Sequence, residues 1–199
     1  MHTASLTALT ILAAFAALTG CSVRPSQTTE PVTVSNQQRV LISFGSSHES
    51  FRAVDDRVMG GVSRSGMGVS ASGHGVFEGD MSLESNGGFA SVRSRGLTLD
   101  LGEAGALALR VRGDGKRYKL RLHDDSQFDG VAYQVVFETQ AGEWMELEFP
   151  IDAFRPVWRG RDVPGAAPLD RARVTSVGLM ISDGQEGAFA LEVDWLAAR

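Results

Sequence analysis

Between Leu107 and His123, apolar and polar side chains alternate up to a turn and back again. Leu107, Leu109 and Val111 alternate with Ala108, Arg110 and Arg112. Gly113-Asp114-Gly115 then breaks the run, and Tyr118, Leu120 and Leu122 alternate with Lys119, Arg121 and His123. Successive side chains of an extended strand point to opposite faces, so a period of two buries one face and wets the other. Two such runs around a short Gly-containing break predict a β-hairpin. The same period recurs in RVLISF, in GVFEGDMSL and FASVRS around ESNGG, and in VAYQVVFET and WMELEFP around Gln140-Ala141-Gly142. It returns in VTSVGLMIS and FALEVDWLA around DGQEG, and no segment after residue 24 carries a helical stripe of ten residues or more. Many short antiparallel strands, each with one apolar face, predict an all-β chain of two packed sheets, a jelly-roll β-sandwich. A domain running from residue 39 to 199 buries roughly 70% of its unfolded surface, which is enough to stand without a metal or a disulfide.

The ends of the chain differ in kind. Residues 5–21, SLTALTILAAFAALTGC, form an apolar run too short for an ordinary membrane-spanning helix, closing on small residues and the single cysteine, Cys21. Leu18-Thr19-Gly20-Cys21 resembles the lipobox of bacterial lipoproteins, in which the cysteine is acylated and becomes the first mature residue. This predicts a signal peptide over 1–20, a lipidated tether over 21–38 containing Pro25 and Pro31, and a bacterial envelope location facing the periplasm, with the lipid as the only membrane contact. One cysteine excludes a disulfide framework and any multi-cysteine zinc site. A net charge of −5 argues against a nucleic-acid binder, which shows a basic footprint.

The motifs that carry chemistry fail one by one. Gly66-Met67-Gly68-Val69-Ser70-Ala71 matches a dinucleotide fingerprint in letters but lacks the following helix. Asp125 to Gly130 opens like a calcium loop, yet the position of the bidentate glutamate holds Val136; a non-standard calcium site at this loop stays open. Histidines 2, 48, 74 and 123 are too scattered for a ligand pair, and no Gly-x-Ser-x-Gly elbow occurs. Glu192-Val193-Asp194 puts two carboxylates on one strand face, as in laminarinase-type glycosidases, but the third carboxylate is replaced by Leu196 and Ala197. Glu146 and Glu148 form a similar pair. No catalytic residue, metal or cofactor is therefore expected. Residues 54–63, VDDRVMGGVS, read as scaffold. Asp55 or Asp56 would hold Arg57 in a buried ion pair, Gly60 and Gly61 would supply positive φ or close approach, and Met59 with its valines would dock into the core.

Several stretches together resemble the complex I intermediate-associated protein 30 family. Phe51-x-x-Val-Asp-Asp-Arg-Val-Met-Gly-Gly-Val-Ser63 is similar to its opening motif, with Phe51 where a Trp is common. Phe77-x-Gly79 with Glu84-Ser-Asn86-Gly-Gly-Phe-Ala-Ser-Val-Arg93, then Val111-Arg-Gly-Asp-Gly115 with Tyr118, resemble the next two. Phe149-Pro-x-x-x-Phe154, Arg159-Gly-Arg161 and Val177 to Phe189 complete the order. The resemblance implies a galactose-binding-like β-sandwich and a non-catalytic role; mitochondrial members assist assembly of respiratory complex I. Here it implies a structural role for Asp55, Asp56, Arg57, Gly60, Gly61 and Asn86. The candidate binding residues are Arg93, Arg112, Tyr133, Trp158, Arg159 and Arg161, because arginine beside aromatic rings suits protein interfaces and sugar stacking alike. The leading expectation is an assembly-factor-like domain that binds a protein partner. A carbohydrate-binding module is the alternative, and a laminarinase-like glycosidase the third.

Overall fold

The computed structural model describes residues 38–127 and 129–199; the predicted signal segment, Cys21 and nearly all of the tether lie outside them. In chain order the strands are β1 (Arg39–Ser43), β2 (Phe51–Ala53), β3 (Arg64–Val69), β4 (Gly75–Met81) and β5 (Ala90–Ser94). The two central runs give β6 (Ala106–Arg112) and β7 (Arg117–His123), but not the hairpin their alternation predicts: the two strands do not pair with each other, and the Gly113–Gly115 turn carries the chain from one sheet to the other. Then follow β8 (Ala132–Glu138), β9 (Trp144–Pro150), β10 (Arg155–Trp158), β11 (Arg161–Asp162), β12 (Ser176–Ile181) and β13 (Gly187–Ala198). All pairings between these strands are antiparallel. One sheet runs β3-β4-β13-β6-β9, with β1 also paired to β13; the other runs β11-β10-β8-β7-β12-β5-β2. Helix is limited to single turns such as Phe44–Ser47, and no described helix is long and apolar enough to cross a membrane.

The two sheets meet on their apolar faces. Phe77, Leu107, Leu109, Val111, Leu191 and Val193 come from the first, and Val92, Tyr118, Leu120, Leu122, Leu179 and Ile181 from the second; all are essentially solvent-free. A chain of rings threads the core: Phe77 lies 4.9 Å from Phe189, Tyr118 lies 6.1 Å from Phe137, and Phe137 lies 5.9 Å from Phe149. The Tyr118 hydroxyl finds its acceptor at the turn between β6 and β7, donating to Asp114 Oδ1 at 2.8 Å, while Asp114 Oδ2 accepts from the Ala190 amide at 3.1 Å. Burial, reinforced by Asp114, pushes the Tyr118 phenol far up, so it stays a neutral donor.

The VDDRVMGGVS segment is tied to both sheets, but not by the ion pair its charges suggest. Asp55 accepts from the Ser65 amide (3.0 Å) and hydroxyl (2.6 Å) on β3 and from the Ser91 amide (3.0 Å) on β5. Those strands belong to different sheets, so one carboxylate clamps the two layers together at their edge. Asp56, fully buried, accepts from the Ser63 amide (3.0 Å) and hydroxyl (2.5 Å) and from the amides of Gly88 (2.8 Å) and Phe89 (3.4 Å). Burial pushes its carboxyl up, but the Ser63 hydroxyl and the three amides outweigh this and hold it below its ordinary value. Arg57 is exposed and has no carboxylate within ion-pair distance among the described residues, so the expected Asp–Arg pair is replaced by hydroxyl and amide donors. Such donors satisfy a buried carboxylate without bringing in a second charge. Val58, Met59 and Val62 are exposed at 63%, 60% and 44% rather than docked into the core. The glycines behave as expected: Gly60 has φ +95°, and a Cβ on Gly61 would sit 2.4 Å from the Asp56 carboxyl. Asn86 also takes a left-handed conformation, with φ 61°.

Candidate binding surface

Strand register brings distant arginines into line on the face of the seven-stranded sheet that points away from the core. Arg52 on β2 stands opposite Arg93 on β5, and Arg93 opposite Gly178 on β12. Gly178 stands opposite Arg121 on β7, Arg121 opposite Gln134 on β8, and Gln134 opposite Arg155 on β10. Directly paired residues project to the same face, so four guanidinium groups share one row across six strands, and no carboxylate occupies a position in it. Carboxylates flank the row instead: Asp183 holds Lys119 at 2.8 Å, and Asp125 acts on Arg93.

The middle of the row is electrostatically tense. Arg93 donates from Nε to the Ser176 hydroxyl at 2.7 Å and from Nη2 to the Gln127 carbonyl at 3.4 Å. Arg121 has no carboxylate within ion-pair distance among the described residues; its Nε is buried without a partner, and Nη1 reaches only the Met180 sulfur at 3.9 Å. Burial, and then the neighbouring Arg93, push the Arg121 guanidinium down to about 10. His123, two residues on and 5% exposed, is pushed down to about 3 by burial and then by Arg93 and Arg121, so it is a neutral imidazole at pH 7. Beside Arg93 a cavity of about 480 Å³ opens, lined by Arg93, Arg95, Thr98, Asp125, Ser126 and Ser176 among others.

The opposite sheet carries a second polar cluster that is closed on itself. Arg110 pairs with Asp194 and Arg112 with Glu192, and their guanidinium carbons lie 4.5 and 5.2 Å from the Trp144 ring centroid. His74 meets the same ring edge-on at 4.7 Å. Glu192 and Asp194 do share a face, as their spacing implies, but each is tied to an arginine; Glu146 and Glu148 are both tied to Arg199. Ser72 Oγ lies 2.9 Å from His74 Nδ1, and Glu192 lies 3.5 Å from that same nitrogen. A relay needs the two partners on opposite ring nitrogens, so this serine, histidine and carboxylate do not form one.

The six residues singled out from the sequence therefore fall in different places. Arg93 belongs to the cationic row, whereas Arg112 sits on the opposite sheet in its ion pair. Tyr133 faces the core at 5% exposure and donates to the Ala167 carbonyl at 2.8 Å, so it offers no surface for stacking. Trp158 is 44% exposed beyond β8 and donates Nε1–H to the Asp129 carbonyl at 3.0 Å. Arg159 stacks on Trp158 at 4.7 Å and pairs with Asp129, and Arg161 is exposed on β11. The row members Arg52, Arg121 and Arg155 were missed. Alternation gives each an outward parity, but only the register between strands shows that they align.

Among the described residues no group of three or more His, Cys, Asp or Glu is placed to hold a metal. At the suspected calcium loop, the Asp125 carboxylate accepts instead from the Gln127 amide at 3.0 Å.

Known proteins resemble this chain in two ways. The mitochondrial complex I intermediate-associated protein 30 of Drosophila melanogaster is 29% identical over 157 residues, covering 68% of this chain and 53% of that protein. The mouse protein of the same name is 33% identical over 108 residues, covering 51% and 32%. The chain thus spans about half or less of the length of these relatives. In three dimensions, the family 11 carbohydrate-binding module of a Clostridium thermocellum cellulosomal cellulase superposes with a TM-score of 0.61 at 14% identity, covering 81% of this chain and 94% of the module. That likeness shows the fold, a jelly roll of the galactose-binding-like kind. The sequence pattern of complex I intermediate-associated protein 30 matches residues 40–193, and the chain belongs to that family.

Proposed function

We propose that this chain is a non-catalytic binding domain of the assembly-factor type, which holds a protein partner on the outer face of its seven-stranded sheet. The observation that carries this reading is the register-aligned row of Arg52, Arg93, Arg121 and Arg155 across one outer sheet face. Arginine suits interfaces because its planar fork binds carboxylates in two places at once. In this reading the domain works from a lipid anchor at Cys21, in the bacterial envelope and facing the periplasm, with residues 21–38 as the tether.

The test is a photo-crosslinking side chain placed in intact cells at Val136, which is 45% exposed on the same face, and separately at Glu148 on the opposite sheet. A discrete protein adduct is expected from Val136 and none from Glu148; adducts from Glu148 alone would place the interface on the wrong sheet. The anchor has its own test. Cys21→Ala should abolish acyl labelling and free the domain from membranes, and a variant that fractionates as the parent does would refute it.

A carbohydrate-binding role is the second reading. The jelly-roll likeness and the hydroxyl-lined cavity beside Arg93 favour it. Against it, the outward positions of β5, β7, β8 and β12 carry no aromatic ring except the buried His123, and sugar rings bind by stacking on such rings. Binding of an uncharged glucan that persists in Arg121→Met would favour this second reading over the first.

A further inference from the structure

Arg121 is an expensive residue where it stands. Its Nε is buried without a partner, no described carboxylate pairs with it, and Arg93 lies on the same row only two strands away. Taking a guanidinium out of water without a counter-charge costs stability, and like charge beside it adds to that cost. A scaffold would resolve this by placing an aspartate in line, as it does for Arg110 with Asp194 and for Arg112 with Glu192 on the other sheet. Here the position between the two arginines is Gly178, which has no side chain at all. Two strand spacings put the Arg93 and Arg121 backbones about 10 Å apart, and a Cβ on Gly178 between them would sit 2.9 Å from the Val92 carbonyl, so the strand itself cannot supply a carboxylate there.

We propose that the gap over Gly178 is a carboxylate seat: an aspartate or glutamate from an extended acidic segment of the partner protein lodges between Arg93 and Arg121. This rests on the reading of the chain as a protein-binding domain and names the chemistry of its partner. Two features point to an extended segment rather than a lone small anion. The row crosses six strands, a span of about 24 Å, and Arg52 and Arg155 continue it on either side of the central pair. The face also supplies charge without stacking rings, which matches the carboxylates of a peptide better than the flat faces of sugars. The incoming carboxylate would give Arg121 the counter-charge it lacks, so binding and stability are coupled. The free protein is held below its attainable stability by the group that recognises the ligand.

That coupling gives the test its sign. Arg121→Met keeps the apolar stem and removes the charge. In the full-length chain it should raise the melting temperature by about 3 °C, whereas loss of a structural arginine would lower it. Fluorescence anisotropy then compares a labelled twelve-residue poly-glutamate peptide, its glutamine counterpart and an oligogalacturonate of equal length. The glutamate peptide should bind the parent, raise the parent's melting temperature and weaken at least tenfold in Arg121→Met, and the glutamine peptide should not bind. If Arg121→Met melts lower or fails to fold, or binds the glutamate peptide as the parent does, there is no seat. If oligogalacturonate binds in preference to the peptide, the occupant is an acidic glycan and the protein assignment is overturned. The Val136 adduct separates the two levels. An adduct that survives in Arg121→Met removes the seat and leaves the binding face standing, whereas no adduct in the parent removes the binding face itself.

Discussion

Asp56 receives four donors on two oxygens, and all come from the chain within or beside its own clamp. Asp56→Asn turns one of those oxygens into a donor facing donors, and a buried unsatisfied group of this kind costs about 3 kcal/mol. Against a total stability of about 5–15 kcal/mol, that is a visible fall in the denaturant midpoint. Arg57→Ala should change the midpoint by no more than ~0.5 kcal/mol, as befits an exposed side chain outside the clamp. Equal effects from the two variants would mean that the ion pair is real in solution. Gly61→Ala would put a methyl group against the Asp56 carboxyl, and overpacking of that kind should cost about 1–3 kcal/mol in the same measurement. The sequence misassigned the partner of Asp55 and Asp56 because serine hydroxyls and backbone amides, several of them more than 30 residues away, carry no signature of a buried acceptor.

Strand β13 shows how an element carries information that a pattern hides. Phe189, Leu191 and Val193 face the core, and so do Leu196 and Ala198 further along. The change of parity is made by a bulge: Val193 pairs with Val111 and Leu196 with Leu109, so Asp194 and Trp195 together stand opposite Arg110. A bulge absorbs one extra residue without turning the rest of the strand over. Deleting Asp194 should therefore leave the inward set intact and melt cooperatively at a cost of about 1 kcal/mol for the lost Arg110 partner. Deleting Ala190, in the regular part of the strand, shifts one side of the apolar set to the wrong face and should abolish a cooperative melt. Two deletions with the same outcome, read by circular dichroism, would refute this account of the bulge. The alternation of β6 and β7 and the turn between them were legible, but their pairing was not: β6 joins β9 and β13 in one sheet and β7 joins β8 and β12 in the other, so the expected hairpin is a crossing between layers.

At the scale of the whole molecule, the acidic chain turns one cationic face outward, and the cost of that face is written in its pH dependence. His123 titrates near 6.5 in an unfolded chain and is pushed down to about 3 in the fold by burial, Arg93 and Arg121. Between those values the unfolded state binds a proton that the native state refuses, so stability is full above pH 6.5 and falls as the pH drops. The slope is about 1.4 kcal/mol per pH unit, or roughly 2 kcal/mol between pH 7 and 5. His123→Gln should flatten the denaturant midpoint over that window; a variant with the parent's slope would place the proton elsewhere. Partner capture through the arginine row should also weaken as salt rises toward 0.5 M, because the attraction acts near the surface and is screened.

The sequence by itself determined that the chain is all-β, two-layered, turned at Gly113-Asp114-Gly115, and of this family. Each of those properties is carried by neighbours in the chain: a period of two, a turn, an ordered set of short motifs. Tertiary structure alone decided which polar residues act together. Arg93 and Arg112 look equivalent in sequence, each an arginine on an outward parity, yet register sets the first in a row with three other arginines and ties the second to Glu192. Tyr133 looks like a surface ring and is a core one, because β8 turns its odd residues inward. Pairing between strands that lie tens of residues apart is set by the packing of the whole core, and no local pattern records it.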